Sequence, residues 1–202
     1  MKKYPFIVID TETTGLDADD EIIEFAAVGS DQQILWHSLV KPVRHTEWPE
    51  AQAINKISPD DVEFALTAAE QKLHISEVLS SCKVVVGYNV KFDLRLLTQS
   101  GIALPEDLVC MDVMDLVVGR FGHRLSLSKL CAELGVVFSQ DGPHSATSDA
   151  LATLQALSVL TVDPFSFPYG SEETPLEKPD QSSELLSDRK TSENFMRFSY
   201  VI

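Results

Sequence analysis

Three short apolar runs stand one behind another at the start of this chain, with no helix-period segment between them. Residues 4–10, Tyr-Pro-Phe-Ile-Val-Ile-Asp, form the first; 21–28 and 33–40 are the second and third. The first, a continuous apolar run with β-branched members, marks a buried strand, and the other two are further strand candidates. Asp31-Gln32 lies between the second and third as a turn. The pattern then changes. Glu47 to Ile57 has helical spacing, with Ala51, Ile54 and Ile57 on one side, and Ser58-Pro59-Asp60-Asp61 reads as a cap with proline at a first helical position. A helix is expected over 68–80, with its periodicity carried by Leu73, Ser76, Glu77 and Leu79-Ser80. A buried strand follows over 84–88, then a helix over 91–99 with Phe92, Leu96 and Leu97 turned inward and Gly101 as its stop. A fifth strand is expected over 108–112 and helices over 113–118, 126–134 and 145–160. The last is apolar through Ala146, Ala150, Leu154, Leu157 and Leu160. Three strands followed by helices alternating with two more imply an α/β domain, a mixed sheet of about five strands with helices packed on it.

That domain is expected to end near residue 162. Residues 163–202 carry Pro164, Pro168, Pro175 and Pro179 among many Ser and Glu, a composition that buries too little apolar surface to order itself. The segment closes on an apolar stretch, Phe195 to Ile202, fit to add a strand to this domain or a partner. The net charge is −15, of which −11 falls in residues 1–162. An acidic body argues against a grip on nucleic acid through a broad basic face, and favours a binder of cations. Cys82, Cys110 and Cys131 form no CxxC pair, so a disulfide framework or zinc knuckle is not expected. The run before Asp10 is too short for a signal peptide, and no run approaches a membrane span. A reduced, cytoplasmic setting without a membrane partner is the expectation.

Chemistry is concentrated in three places. Asp10-Thr11-Glu12 closes the first strand, and residues i and i+2 of a strand share a face. Two adjacent carboxylates repel, and a hard cation such as Mg²⁺, which takes oxygen ligands, relieves the repulsion. A solvated strand end accounts for the same residues equally simply. Asp93 follows a second buried strand, where open α/β sheets place ligands, with Phe92 expected in the core and Asp93 out of it. It also reads as an acid favoured by a helix N-terminus. His144-Ser145-Ala146-Thr147-Ser148-Asp149-Ala150 puts small residues between a histidine and an acid, letting a helix approach a sheet closely. Gly142-Pro143 ahead of it implies a loop at His144, and a surface histidine beside a helix cap is the plainer account.

Together, Asp-x-Glu at Asp10 to Glu12, Asn-x-x-Phe-Asp at Asn89 to Asp93, and His-x-Ala-x-x-Asp-Ala at His144 to Ala150 resemble the DEDDh (DnaQ-like) 3′–5′ exonuclease family of the ribonuclease-H-like fold. The resemblance spans about residues 4–160. Lys41-Pro42 and Ser126 to Cys131 support it. Tyr88 stands where the family often has histidine, and Asn55-Lys56 where it often has His-Gly.

The resemblance implies phosphodiester hydrolysis with two divalent ions, Mg²⁺ or Mn²⁺. Asp10 would be shared by both ions, with Glu12, Asp93 and Asp149 completing their ligands. His144 would take the proton of the attacking water, as suits a side chain that ordinarily titrates near neutral pH. Thr11, Thr13, Thr14, Gly15, Leu16, Asn89 and Phe92 would line the terminal nucleotide. The substrate implied is a nucleic-acid 3′ end, single-stranded DNA in proofreading or repair, releasing nucleoside 5′-monophosphates. An exoribonuclease on short RNA, a non-catalytic nucleic-acid-binding subunit of the same fold, and a plain acidic cation binder are the alternatives. Lys91, Arg95, Arg120, Arg124 and Lys129 offer either a small phosphate-binding surface or a solvated helix face. Gln181 to Leu186 faintly resembles a sliding-clamp-binding peptide, so a polymerase or clamp partner is expected through the tail.

Overall fold

A computed structural model of the chain describes residues 2–139 and 144–162. The expected tail, its docking sequence and Gly142-Pro143 lie outside the described residues. Three strands come first: β1 (Ile7–Thr13), β2 (Ile22–Gly29) and β3 (Ile34–Leu39). They are followed by α1 (Pro49–Asn55), α2 (Ala68–Leu79), β4 (Val84–Gly87), α3 (Val90–Gln99), β5 (Val109–Asp112), α4 (Val113–Phe121), α5 (Leu127–Leu134) and α6 (Ala146–Val162). The sheet order is β3-β2-β1-β4-β5, with β1–β2 and β2–β3 antiparallel and β1–β4 and β4–β5 parallel. This is the mixed five-stranded sheet of the ribonuclease-H-like fold.

Alternation along β1 splits the core into two layers. Ile7 and Ile9 face α2 and α3, packing with Ile75, Leu79, Leu96 and Leu97. Val8 faces the opposite way, with Val86 of β4, Val113 and Val117 of α4, Leu130 of α5, and Ala150, Leu154 and Leu160 of α6. Fully burying one such aliphatic side chain stabilises the fold by about 1.5–3 kcal/mol. The five apolar positions expected on the last helix are all buried. β1 runs three residues past Asp10, so Asp10 and Glu12 sit inside the strand, on the layer that α6 covers.

Local chemistry sets the element ends. Thr67 and Glu70 form a reciprocal capping box at the start of α2. Ser126 caps α5, and Gly135 ends it in the left-handed conformation. The expected reach of α1 to Ile57 is shorter in the structure, and Ile54 is exposed rather than inward. Trp48 takes the core position instead, its indole N–H donating to the Ile57 carbonyl at 2.8 Å, and Lys56 ends the helix at φ +64°. Ser58–Asp61 caps turns and not a helix: the Asp61 carboxylate accepts from both the Ser58 N–H and hydroxyl, and the backbone closes successive turns up to Ala65. Leu73 of α2 points to solvent, and Gln71, Ile75, Val78 and Leu79 form its buried face. Gln71 reaches inward because its amide donates to the carbonyls of Leu39 and Leu66 and accepts from Ser38.

Candidate active site

Each carboxylate arrives on a different element at one end of the central strands. Asp10 and Glu12 come from β1, Asp93 from the first turn of α3, and Asp149 from the first turn of α6. Gly87 makes the β4–α3 turn possible, since a Cβ there would lie 2.9 Å from the Val90 side chain. Asn89 precedes α3 in the left-handed conformation, its N–H held by the Asp112 carboxylate at 2.8 Å.

Asp93 is buried, at 4% exposure, and more so than half-buried Phe92, which reverses the expected pair. The reason lies on the far side of β1. Thr11 faces the α3 layer and its hydroxyl donates to Asp93 Oδ1 at 2.6 Å. Burial therefore leaves Asp93 with a hydrogen-bond partner, and Thr11 acts on the carboxylate as a donor. Thr13 donates to the Gly15 carbonyl and Thr14 to Asp20 Oδ1, so both hydroxyls shape the loop after β1. Any Cβ on Gly15 would meet the Asp20 carboxylate at 2.4 Å, so a substitution there must displace that side chain from the Thr14 hydroxyl and the Asp17 N–H. Leu16, at 81% exposure, stands out from that loop.

Glu12, His144 and Asp149 each offer a ligand atom, and these atoms lie within 4.8 Å of one another. His144 is exposed and has φ +67°. Its backbone N–H lies 3.3 Å from both Asp149 oxygens, so the chain folds back over the start of α6. Asp10 is bound into the group by charge, feeling Asp93, Asp149 and Glu12. Among the described residues no Lys, Arg or His side chain comes within 4 Å of the carboxylates of Asp10, Glu12, Asp93 or Asp149 in an ion pair.

Sequence reasoning missed Glu24 and Asn55. Glu24 lies opposite Glu12 in the β1–β2 register and is only 5% exposed. One oxygen accepts the Ala146 N–H at 2.9 Å, tying β2 to the start of α6, and the other lies 2.6 Å from His37 Nε2. The available signal was a charged residue inside an otherwise apolar strand, Ile22 to Val28. Asn55, where the related family often has histidine, is buried; its amide donates to the Thr13 carbonyl at 3.2 Å, and its side chain also hydrogen-bonds Glu12. Glu24→Ala leaves the buried Ala146 N–H without its acceptor and is expected to destabilise the protein by about 1–3 kcal/mol. Glu24→Gln retains an acceptor and should cost less than half of that in urea unfolding; equal losses would show that the Ala146 contact contributes little.

Burial, foremost, raises the acids. Asp10 is held well above the usual carboxylate range, with Asp93 the strongest of its charged neighbours. Glu12 is pushed up to about 8, Asp93 to about 7, and Asp149 to about 6. In the unfolded chain these groups titrate near 4. The metal-free folded protein therefore holds protons that the unfolded chain has released, and its stability is fully present below about pH 4 and lost as pH rises through about 6 to 8. Thermal melting in chelator is expected to fall between pH 5 and pH 8.5, and the fall to be reduced by Mg²⁺. A midpoint independent of pH in chelator would contradict the crowded, buried arrangement.

A cluster of largely buried acids with one imidazole is thus gathered at the end of the central strand of a ribonuclease-H-like sheet, in the α/β class. Within that fold class the chain belongs to the RNase_T family, described as "Exonuclease", whose model matches residues 7–157. It is 33% identical over 167 residues to the PolC-type DNA polymerase III of Thermotoga petrophila, covering 74% of this chain and 11% of that protein. It is 30% identical over 168 residues to a DNA polymerase III subunit epsilon-like protein of Rhodobacter capsulatus, covering 77% and 23%. The chain thus spans under a quarter of the length of either relative. Among solved structures, E. coli exonuclease I in complex with a dA16 oligonucleotide shares the fold, with a TM-score of 0.67 and 20% identity over 83% of this chain and 43% of that one.

Proposed function

We propose that this exonuclease removes nucleotides from the 3′ end of single-stranded DNA, releasing nucleoside 5′-monophosphates with the help of two divalent cations. The observation that carries the reading is the meeting of Glu12, His144 and Asp149 within 4.8 Å, beside Asp10, with no Lys or Arg among the described residues in an ion pair with these acids. The donor set fits Mg²⁺ or Mn²⁺: oxygen-rich, crowded, and raised in proton affinity by burial and by the neighbouring acids. Asp10, Glu12, Asp93 and Asp149 would hold the ions, which when bound neutralise the phosphate and activate water.

The chain's own residues do the rest. Thr11 fixes Asp93, Asn55 fixes Glu12, and the His144 N–H fixes Asp149. The His144 imidazole accepts the proton of the attacking water. The Gly15 turn and exposed Leu16 would receive the terminal nucleotide, with Asn89 and Phe92 bordering it. The names of the polymerase III relatives favour DNA and a polymerase partner. A similarity to an RNA exonuclease 4 of Candida glabrata, 28% identical over 155 residues, keeps RNA as the second substrate to test. Incubating 5′-labelled single-stranded DNA, duplex DNA and RNA of one sequence with the full chain in Mg²⁺, Mn²⁺ or chelator decides the matter. A ladder shortening from the 3′ end of single-stranded DNA, lost in chelator, is expected; shortening from the 5′ end, or cleavage unaffected by chelator, would overturn the reading.

A further inference from the structure

The described residues contain twelve Lys and Arg side chains, and half are already engaged. Lys2 pairs with Asp31 at 2.6 Å, Lys83 with Asp107 at 3.9 Å, and Arg44 donates to the Asp19 carbonyl at 2.7 Å. Lys3, Lys41 and Lys56 donate to backbone carbonyls. Lys91, Arg95, Arg120, Arg124 and Lys129 do neither: among the described residues none has a carboxylate within 4 Å or a hydrogen-bonded carbonyl. Arg95 and Arg120 lie over the rings of Phe92 and Phe121, at 5.1 and 5.8 Å, and Arg120 Nη1 is buried with no hydrogen-bond partner. Lys72 of α2 is the remaining free cation. In a chain of net charge −15, five unneutralised cations within 39 residues call for an anion.

The five flank the β4–β5 edge of the sheet on its two sides, α3 packing on one layer and α4 and α5 on the other. Lys91 and Arg95 belong to α3, the helix that carries Asp93. Arg120 ends α4, Arg124 lies in the connection to α5, and Lys129 is in the first turn of α5. The Tyr88 hydroxyl donates to the Leu125 carbonyl at 2.6 Å, pinning that connection beside the β4–α3 turn. α5 packs on α6, and its Cys131 lies close enough to Asp149 for that charge to raise the thiol. Of the five, Lys91 feels the nearby Asp112 charge, and the acids of this corner form no ion pair with the other four among the described residues. The Asp112 carboxylate accepts the N–H groups of Asn89 and Met114, leaving Asp115 as the exposed acid of α4.

We propose that Lys91, Arg95, Arg120, Arg124 and Lys129 form a track for the phosphodiester backbone of a single strand, upstream of the linkage being cut. The inference rests on the exonuclease reading of the neighbouring carboxylates and extends it from the terminal nucleotide to the strand behind. Arginines that rest on aromatic rings keep their outer N–H groups free for phosphate oxygens. Contact with two or three phosphates gives log affinity a slope of about −2 against log salt for a single strand.

The test uses full-length chain carrying Asp10→Asn, so that the strand is bound and not cut, with 5′-fluorescein dT2, dT5 and U5 followed by anisotropy in Mg²⁺. Affinity should rise from dT2 to dT5, and dT5 should lose about tenfold between 50 and 200 mM salt. Arg124→Gln with Lys129→Gln should weaken dT5 and U5 by the same factor, roughly tenfold, and flatten the salt dependence. Lys72→Gln with Lys83→Gln, equal in charge lost, should change neither. Equal affinity for dT2 and dT5, a paired variant that binds like its parent, or a loss confined to dT5 or U5 would each overturn a backbone track. The dT2-to-dT5 step needs no variant beyond the shared background, so it stands even if the paired variant folds poorly. Failure of the exonuclease reading shows separately, as unchanged oligonucleotide length when the parent chain is incubated with Mg²⁺.

Discussion

Asp10→Ala and Asp149→Ala are each expected to lower nuclease turnover by ~10³-fold or more while leaving the metal-free protein as stable as the parent or more stable. The two effects have one cause. Asp10 stands on β1 among Asp93, Asp149 and Glu12, and burial first, then those charges, raise its carboxyl well above the usual range. Asp149, brought from α6, is raised to about 6, again by burial first. Truncating either relieves repulsion that folding must otherwise overcome. It also removes oxygen ligands from a site whose remaining acids gain little by being alone. The pair of readouts separates function from folding: turnover in Mn²⁺, and melting in chelator at pH 8, where the acids are most costly. Mg²⁺ should raise the parent's melting temperature and raise that of Asp10→Ala much less. Substantial activity in both variants would end the assignment of a shared cation site. Lost activity with a sharply lowered melting temperature in chelator would mean that the acids serve the fold.

The sheet was legible because its strands are nearly pure apolar runs, and such runs admit few partners. β2 is buried at all eight positions, and the sequence from Ile22 to Val28 says so directly apart from Glu24. Helix α6 was equally plain, since its 17 residues pack on both β1 and β2 with a small-residue start. The region from Glu47 to Ala65 was less so. There Trp48, an aromatic at a helix boundary, fills the core and displaces the periodic Ile54, a tertiary decision that spacing does not record. Asp10, Glu12 and Asp93 could be placed relative to strand ends, Asp149 and His144 joined them only through the three motifs taken together, and the partners of these groups could not be read. Thr11 bonding Asp93, Asn55 bonding Glu12, and Glu24 bonding Ala146 span 82, 43 and 122 residues of chain. Long-range hydrogen bonds leave no period in a sequence. The reversal at Phe92 and Asp93 has the same origin: a buried acid is tolerated only because a hydroxyl from the adjacent strand reaches it.

His144→Asn is expected to lower turnover by about 10²–10⁴-fold, the usual cost of losing a general base. Asparagine is the informative replacement because His144 has two separable functions. Its backbone is left-handed, at φ +67°, and its N–H reaches both oxygens of Asp149 at 3.3 Å. Asparagine adopts that conformation more readily than most residues, so the contact and the start of α6 are retained. What is lost is the imidazole. Its ligand atom lies within 4.8 Å of those of Glu12 and Asp149, a distance that suits a base facing the cations or a ligand to one of them. Titrating Mn²⁺ into parent and variant distinguishes these roles without reference to turnover. A base leaves Mn²⁺ affinity nearly unchanged, because the four carboxylates remain. A ligand takes affinity down with rate, by tenfold or more, and excess Mn²⁺ then restores part of the lost activity. We expect unchanged affinity with a rate that excess Mn²⁺ does not restore. Parallel loss of binding and rate would move His144 from the proton-accepting side of the site to the metal-holding side.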